Sequence, residues 1–344
     1  VQARADALLT IAGIPTTVLV APDAFKGTLS ASEVAVAIAR GLQRAGMETD
    51  LCPIADGGEG TLEALLDPLE AEICTALVEG PMGASVEVPF GLTAAGRRGA
   101  TAVLEAAAAS GFHLIAASER DPVKASTFGT GQLIAAALEA GARTVIVGAG
   151  GTATTDGGSG AIEALRRAGG VPEGGRLVVL CDVRTPFEDA ARLFAPQKGA
   201  TPDQVRRLTR RLHSQARRFG NRDPRGRPLT GAAGGLSGAL WAAFGAELVP
   251  GASHVLDAIG FDERLRRARA VVTGEGRLDA QSLAGKALSE VATRARQSGV
   301  PCHAIVGSSA LDRFGMRVLD LQAVLEAGAI SELTAAGRRI AGLL

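Results

Sequence analysis

The chain opens its readable pattern with Val18-Leu-Val-Ala21, a short apolar run that stops at Pro22-Asp23. An apolar stripe of helical period follows, with Val34, Ala37, Ile38, Gly41 and Leu42 on one face, and Ser30 and Glu33 stand at the spacing of a capping box. The pattern predicts a strand, a turn and a helix over about 30–44. A second strand is expected at Thr49–Ala55, then a Gly-rich turn through Thr61 and another helix. Between Ala76 and Glu105 the rhythm changes to short extended pieces, Val86–Phe90 and Thr101–Glu105, with turns at Pro81–Gly83 and Gly96–Gly99. Such strands are not wound with helices, so a second domain is expected to begin near residues 65–75. Ala106–Gly111 reads as a small-residue connector.

The strand–helix alternation then resumes. A helix is expected from Thr127 to about Ala140, where Gly141 stands at the stop position, and a buried strand at Arg143–Val147. Further strands are expected at Leu177–Val183, Ala270–Thr273 and His303–Val306. Thr201-Pro202 is a strong helix start, and Val205, Leu208, Leu212, Ala216 and Phe219 share one face of the helix it opens. Gly231–Gly238 is a Gly/Ala loop before a helix, and Ser331–Leu344 a closing helix. Alternation of this kind implies an α/β protein with a parallel sheet.

Composition narrows the function classes. Lysine plus arginine and aspartate plus glutamate stand at 36 each, so no net charge draws the chain to nucleic acid or a membrane surface. The one basic tract, from the helix after Pro202 to Arg227, lacks interleaved aromatics and reads as a solvated face. Cys52, Cys74, Cys181 and Cys302 are far apart, as expected of buried thiols in a reducing, cytoplasmic setting. The four histidines lack ligand spacing and are expected to be structural. Ala7–Ala21 faintly echoes a signal peptide, but Pro15 interrupts it, and residues 1–14 are read as an extension. No stretch is long enough to span a membrane.

The chemistry is concentrated in the loops after the strands, where open α/β sheets hold ligands. Asp23 and Lys26 follow the first strand. Asp56 and Glu59 sit among glycines, an arrangement suited to a metal or a hydroxyl, although a Gly-rich turn with a Thr cap would look the same. In the Gly148–Gly160 loop, Gly148, Gly150 and Ala153 match a dinucleotide fingerprint. No acid follows ~20 residues on, so a cradle of N–H groups and Thr hydroxyls for phosphate is the better reading. Asp182 ends a strand, where either a working acid or a simple cap could stand. Lys198 follows, and the last loops offer Glu275, Arg277, Asp279 and Lys286; Gly285-Lys286-Ala287 is not a Walker A loop. No Ser–His or Cys–His pair is evident. Dispersed acids and cations on rigid loops are what phosphoryl transfer requires, because its catalysis is mostly positioning and electrostatics.

Eight segments carry a more specific likeness: Ala21–Gly27, Ala55–Thr61, Thr127–Gly131, Gly150–Gly158, Cys181–Val183, Pro196–Ala200, Gly231–Gly235 and Thr273–Asp279. In order and across nearly the whole chain, they resemble the motifs of bacterial type I glycerate kinases. The resemblance implies ATP- and Mg²⁺-dependent phosphorylation of D-glycerate, in most members at the 2-hydroxyl. It implies two α/β domains with the active site in the cleft between them. One is a Rossmann- or flavodoxin-like parallel-sheet domain from residues 1–65 and 260–344, the other an inserted mixed-sheet domain from 66–259. Under that reading Asp182, Lys26 and Lys198 are catalytic, and Gly150, Gly151, Thr152, Thr154, Asp156, Gly157 and Lys286 hold ATP. Asp23, Lys26, Arg277 and Asp279 bind substrate, and Asp56, Glu59 or Glu275 holds Mg²⁺. The alternatives are a kinase of another small hydroxy acid and a non-catalytic glycerate- or nucleotide-binding protein; homo-oligomerisation is left open. Four departures stand out: a short Gly170–Arg176 stretch, Thr185-Pro-Phe-Glu where an Asn-Pro and Gly-rich turn is usual, Thr155 in place of Asn, and a helix after Pro202 more basic than usual.

Overall fold

The computed structural model describes residues 16–97, 99–280, 282–284 and 286–344. The extension at residues 1–14 and Gly285 of the Gly-Lys pair therefore lie outside the described residues. The strands, in chain order, are β1 (Thr17–Pro22), β2 (Glu48–Leu51), β3 (Ala71–Glu79), β4 (Ser85–Thr93), β5 (Ala100–Glu105), β6 (Ala142–Gly148) and β7 (Arg176–Cys181). They continue with β8 (Glu247–Pro250), β9 (Ala270–Gly274), β10 (Arg277–Leu278), β11 (Cys302–Val306), β12 (Ser308–Ser309) and β13 (Leu321–Glu326). The described residues divide into two compact units, one from residues 16–53, 260–283 and 288–344, the other from residues 54–259 and 284–287.

The first unit is built on a five-stranded sheet in the order β2-β1-β9-β11-β13, every neighbouring pair parallel. This is the flavodoxin-like 2-1-3-4-5 order, drawn from both ends of the chain, with its topological switch point between β1 and β9. Val18, Val20, Val272 and Ile305 pack with Val34, Ile38 and Leu42 of helix Ala31–Arg44 and with Leu333 and Ile340 of helix Ile330–Ala341. Leu19 and Val271, pointing the other way along β1 and β9, are equally inaccessible, as a sheet covered on both faces requires. The first helix starts where expected: Ser30 Oγ accepts from the Glu33 N–H and the Glu33 carboxylate from the Ser30 N–H. The second strand is shorter than its sequence suggests, ending at Leu51.

The second unit holds a mixed sheet in the order β3 to β8, antiparallel across β3, β4 and β5 and parallel from β5 to β8. Alternate residues supply opposite faces. Leu104, Val145, Val147 and Val179 pack with Leu133, Leu165 and Leu236, while Val103, Ile146, Val178 and Leu180 pack with Leu65 and Val255. Helix Pro202–Arg218 buries Leu208, Leu212 and Ala216 in a separate cluster with Phe187. Its Thr201 and Gln204 form a capping box ahead of Pro202. The supposed connector after Glu105 is a short helix, Ala106–Ser110, and its small residues have a purpose described below. Strands β8 and β13, short and weakly patterned, escape the periodicity analysis.

Candidate active site

In the first unit the acids stand at the switch point. Asp23 follows β1 and Glu275 follows β9, each almost fully buried, and the two loops are tied by the Asp23 N–H to the Gly274 carbonyl at 2.8 Å. Asp23 Oδ1 accepts from the Ala24 N–H at 2.7 Å. Gly276 lets the loops touch, since a Cβ there would stand 3.3 Å from Phe25 Cα. Lys26 is exposed, and Arg277, its side chain 70% accessible, faces the Asp279 carboxylate at 3.4 Å. The structure thus gathers Asp23, Lys26, Glu275, Arg277 and Asp279 at one edge of the parallel sheet. Lys286 is half-buried in the stretch assigned to the other unit.

The second unit carries a cavity of about 140 Å³ at the carboxyl ends of β6 and β7, lined by Gly150, Gly151, Thr152, Asp182, Lys198 and Gly234 among others. The Asp56–Gly60 turn packs against it. The Gly150 N–H donates to the Gly57 carbonyl at 3.0 Å, and Asp56 Oδ1 accepts from the Gly58 N–H at 3.0 Å. A Cβ on Gly150 would stand 2.6 Å from Gly58 Cα and 3.4 Å from an Asp182 carboxylate oxygen, so only glycine permits this approach. Asp56 is buried, whereas Glu59 is exposed. The small-residue helix after β5 completes the cradle: the Ser110 carbonyl accepts from the Ala153 N–H at 2.8 Å, and Ala107 lies against Gly151. A larger side chain there would push the loop outward.

Lys198 is the one buried lysine among the described residues, 8% exposed in a 3₁₀ turn. Its ammonium donates to the Thr154 carbonyl and, at 3.5 Å, to Thr152 Oγ1. Burial pulls its pKa down from 10.5 to about 8, against the opposing pull of the Asp182 and Asp156 carboxylates. A lysine so poised still carries its charge near neutral pH.

Asp156, expected at the nucleotide, is tied into the protein itself. Oδ2 accepts from the Thr127 N–H (2.9 Å), Thr127 Oγ1 (2.8 Å) and the Gly160 N–H (3.1 Å), and Oδ1 from the Gly158 N–H (3.1 Å). With four donors on two oxygens, it clasps the loop to the helix that follows. Among the described residues, Thr154 Oγ1 and Thr155 Oγ1 are buried with no hydrogen-bond partner, so Thr155 takes up no donor role there. The segment Thr185–Glu188 serves as a plug instead of a Gly-rich turn. Phe187 is fully buried against Gly235 and Gly238, and the Gly231 N–H is held by the Thr185 carbonyl.

Two contributors are missed by sequence reasoning. Ala233 lines the cavity in a left-handed conformation (φ 53°), unusual for a residue with a Cβ, and adjoins Gly234, whose carbonyl accepts from the Gly157 N–H. Glu105, at the end of β5, accepts from the Leu62 N–H at 2.9 Å and so anchors the segment after the Asp56–Gly60 turn. Burial raises its pKa to about 7, and the charge of Glu59 adds to the rise. An acid closing an apolar strand was its only sequence signal.

Among the described residues no three His, Cys, Asp or Glu side chains come together as a ready metal cage. Asp56 and Glu59 share one turn of the second unit, and Glu275 belongs to the first. The Asp56 and Asp182 loops nevertheless converge on Gly150, and Mg²⁺ is commonly held by one or two carboxylates together with substrate phosphates. Asp56, at the glycine turn beside Gly150, is suited to supply one such carboxylate.

Comparison with known proteins shows the family. The family model described as the glycerate kinase family matches residues 18–169 and 171–336. The chain belongs to the glycerate kinase family. It is an enzyme, a kinase. A glycerate kinase of Halalkalibacterium halodurans is 39% identical over 331 residues, covering 85% of each chain. Glycerate 2-kinase of Escherichia coli K12 is 37% identical over 326 residues, again covering 85% of each. A crystal structure assigned to glycerate kinase 2 of Salmonella typhimurium LT2 superposes with a TM-score of 0.76 at 33% identity, covering 95% of this chain and 98% of that one. The two α/β units expected from the sequence, one parallel and one mixed, are the fold observed. No helix among the described residues is long and apolar enough to cross a membrane.

Proposed function

We propose that the enzyme transfers the terminal phosphoryl group of ATP to D-glycerate, giving 2-phosphoglycerate. The observation that carries this reading is Lys198, a buried cation beside the Asp182 carboxylate and the Gly150–Thr152 backbone in one small cavity. The glycerate hydroxyl oxygen attacks the γ-phosphorus, the bond from that phosphorus to the β–γ bridging oxygen breaks, and ADP leaves. Asp182 takes the hydroxyl proton, and Lys198 meets the negative charge on the equatorial oxygens. Mg²⁺, when held by Asp56 together with the phosphates, would neutralise phosphate charge and leave Asp182 its basicity. Gly150, Gly151 and Thr152 cradle the phosphates, while Asp156 and Gly157 keep that loop in shape. Asp23, Lys26, Arg277 and Asp279 remain the substrate-facing candidates, the guanidinium of Arg277 being suited to a carboxylate, and Lys286 remains a candidate for the nucleotide.

The name of the E. coli relative supports the 2-position. A coupled ADP-release assay with D-glycerate and a panel of other small hydroxy acids tests the substrate, and phosphorus NMR of the product tests the position. Turnover of another acid in preference to D-glycerate would move the assignment within kinases. No ADP release with any acid, with bound nucleotide still detectable, would leave a binding protein.

A further inference from the structure

The chain that lines the catalytic cavity at Gly150–Thr152 goes on, at Gly157 and Ser159, to line a second cavity of about 540 Å³ in the same unit. That volume falls within the range of small-molecule sites. It lies between helices Ser159–Arg167 and Pro202–Arg218, and Arg166, Arg167 and Arg218 all face it against the single carboxylate of Glu163. We infer that this cavity binds an organic phosphomonoester whose occupancy acts on the phosphate loop through Asp156.

Charge sets the ligand class. Arg167 is engaged by Glu163 and stacks on Phe128, its guanidinium 5.2 Å from the ring centre. Arg166 and Arg218 enter no ion pair among the described residues, which leaves two guanidinium groups over. A phosphomonoester near neutral pH carries a charge of about −1.5 to −2 and offers oxygens that match the guanidinium fork. Ile162 and Phe219 give the same cavity an apolar wall for the carbon part. Helix-dipole complementarity explains a basic last turn on either helix. It does not explain why both last turns border one hollow of ligand size.

The coupling path is short. Gln215, which lines this cavity, donates from Nε2 to the Asp156 carbonyl at 2.8 Å. Phe128, beneath Arg167, directly follows Thr127, whose N–H and hydroxyl both bind the Asp156 carboxylate. Gln215 of the wall and the Phe128 ring under Arg167 therefore both bear on the residue that clasps the loop, and this loop gives its Thr154 carbonyl to Lys198.

Ribose 5-phosphate, with inorganic phosphate as the minimal probe, is titrated calorimetrically into the wild-type protein, Lys198→Met and Arg166→Ala/Arg218→Ala. The inference expects saturable binding that survives Lys198→Met and weakens about tenfold or more in the double arginine variant. Arg166→Lys/Arg218→Lys should keep part of it and replaces the alanine pair if that pair fails to fold. The KM for ATP should change at least about twofold with ribose 5-phosphate in the wild type and not in the double variant. Binding lost in Lys198→Met but kept in the arginine variant would place the ligand in the catalytic cavity and overturn the inference, as would no saturation at millimolar concentration. Binding with an unmoved KM would overturn the coupling. The binding measurements do not depend on the catalytic reading, so the two can fail separately.

Discussion

Replacing Lys198 by methionine tests the site and its electrostatics together. The side chain keeps most of its apolar stem and loses the ammonium that burial strains. A fall from 10.5 to about 8 corresponds to roughly 3 kcal/mol, at ~1.36 kcal/mol per pKa unit. The sign follows from linkage. Between pH 8 and 10.5 the unfolded chain holds a proton that the folded one has given up, so wild-type stability rises with pH across that window relative to the variant. Losing the hydrogen bond to the Thr154 carbonyl costs the variant about 1–3 kcal/mol, but this term is the same at every pH. Denaturant unfolding of both proteins at pH 7 and pH 10.5 should therefore show the stability difference moving by roughly 3 kcal/mol in favour of the wild type. Turnover should fall ~10²–10³-fold, the usual cost of removing one group aimed at developing charge. For the wild type, kcat/KM should decline above pH 8 as the free enzyme loses this cation. A stability difference that ignores pH, or a variant with normal kcat, would refute the argument.

Asp182→Asn should lower kcat ~10²-fold or more with the fold intact. It should also move the alkaline limb of the surviving activity to lower pH, because Asp182 helps keep Lys198 charged; a limb that stays in place would separate the two groups. Glu105 has a folded pKa raised from 4.5 to about 7, so its contribution is full below 4.5 and lost as pH rises through 7. Glu105→Gln, which keeps an acceptor for the Leu62 N–H, should flatten the stability profile between pH 5 and 7.5 in calorimetric scans; an unchanged slope would count against it. Gly150→Ala must part the loop from Gly58, and kcat/KM should drop at least about tenfold while the circular dichroism spectrum holds. Wild-type kinetics there would show the cradle is not tight.

The sequence by itself determined whatever is local. The capping boxes at Ser30 and Thr201 read directly because their partners lie three residues away. The stripes of helices Ala31–Arg44 and Pro202–Arg218, and the buried runs of β1, β6, β7 and β9, read directly because period alone reports burial. The motif segments carried the family for a similar reason: chemistry-bearing residues cluster on loops whose turns need glycine. Tertiary structure decided what those residues do. Asp156 and Asp182 look alike as acids after strands, yet one spends both oxygens on donors of the chain itself, at Thr127 of a distant helix start and at Gly158 and Gly160 just ahead, while the other borders the cavity. Ala106–Ser110 looked like a linker until its Ser110 carbonyl was seen holding Ala153. Glu105 anchors a segment more than forty residues earlier in the chain, and the β2-β1-β9-β11-β13 order joins strands from opposite ends of it. Such pairings depend on long-range register and on the loss of water around a charge, and neither is written in any window of neighbouring residues.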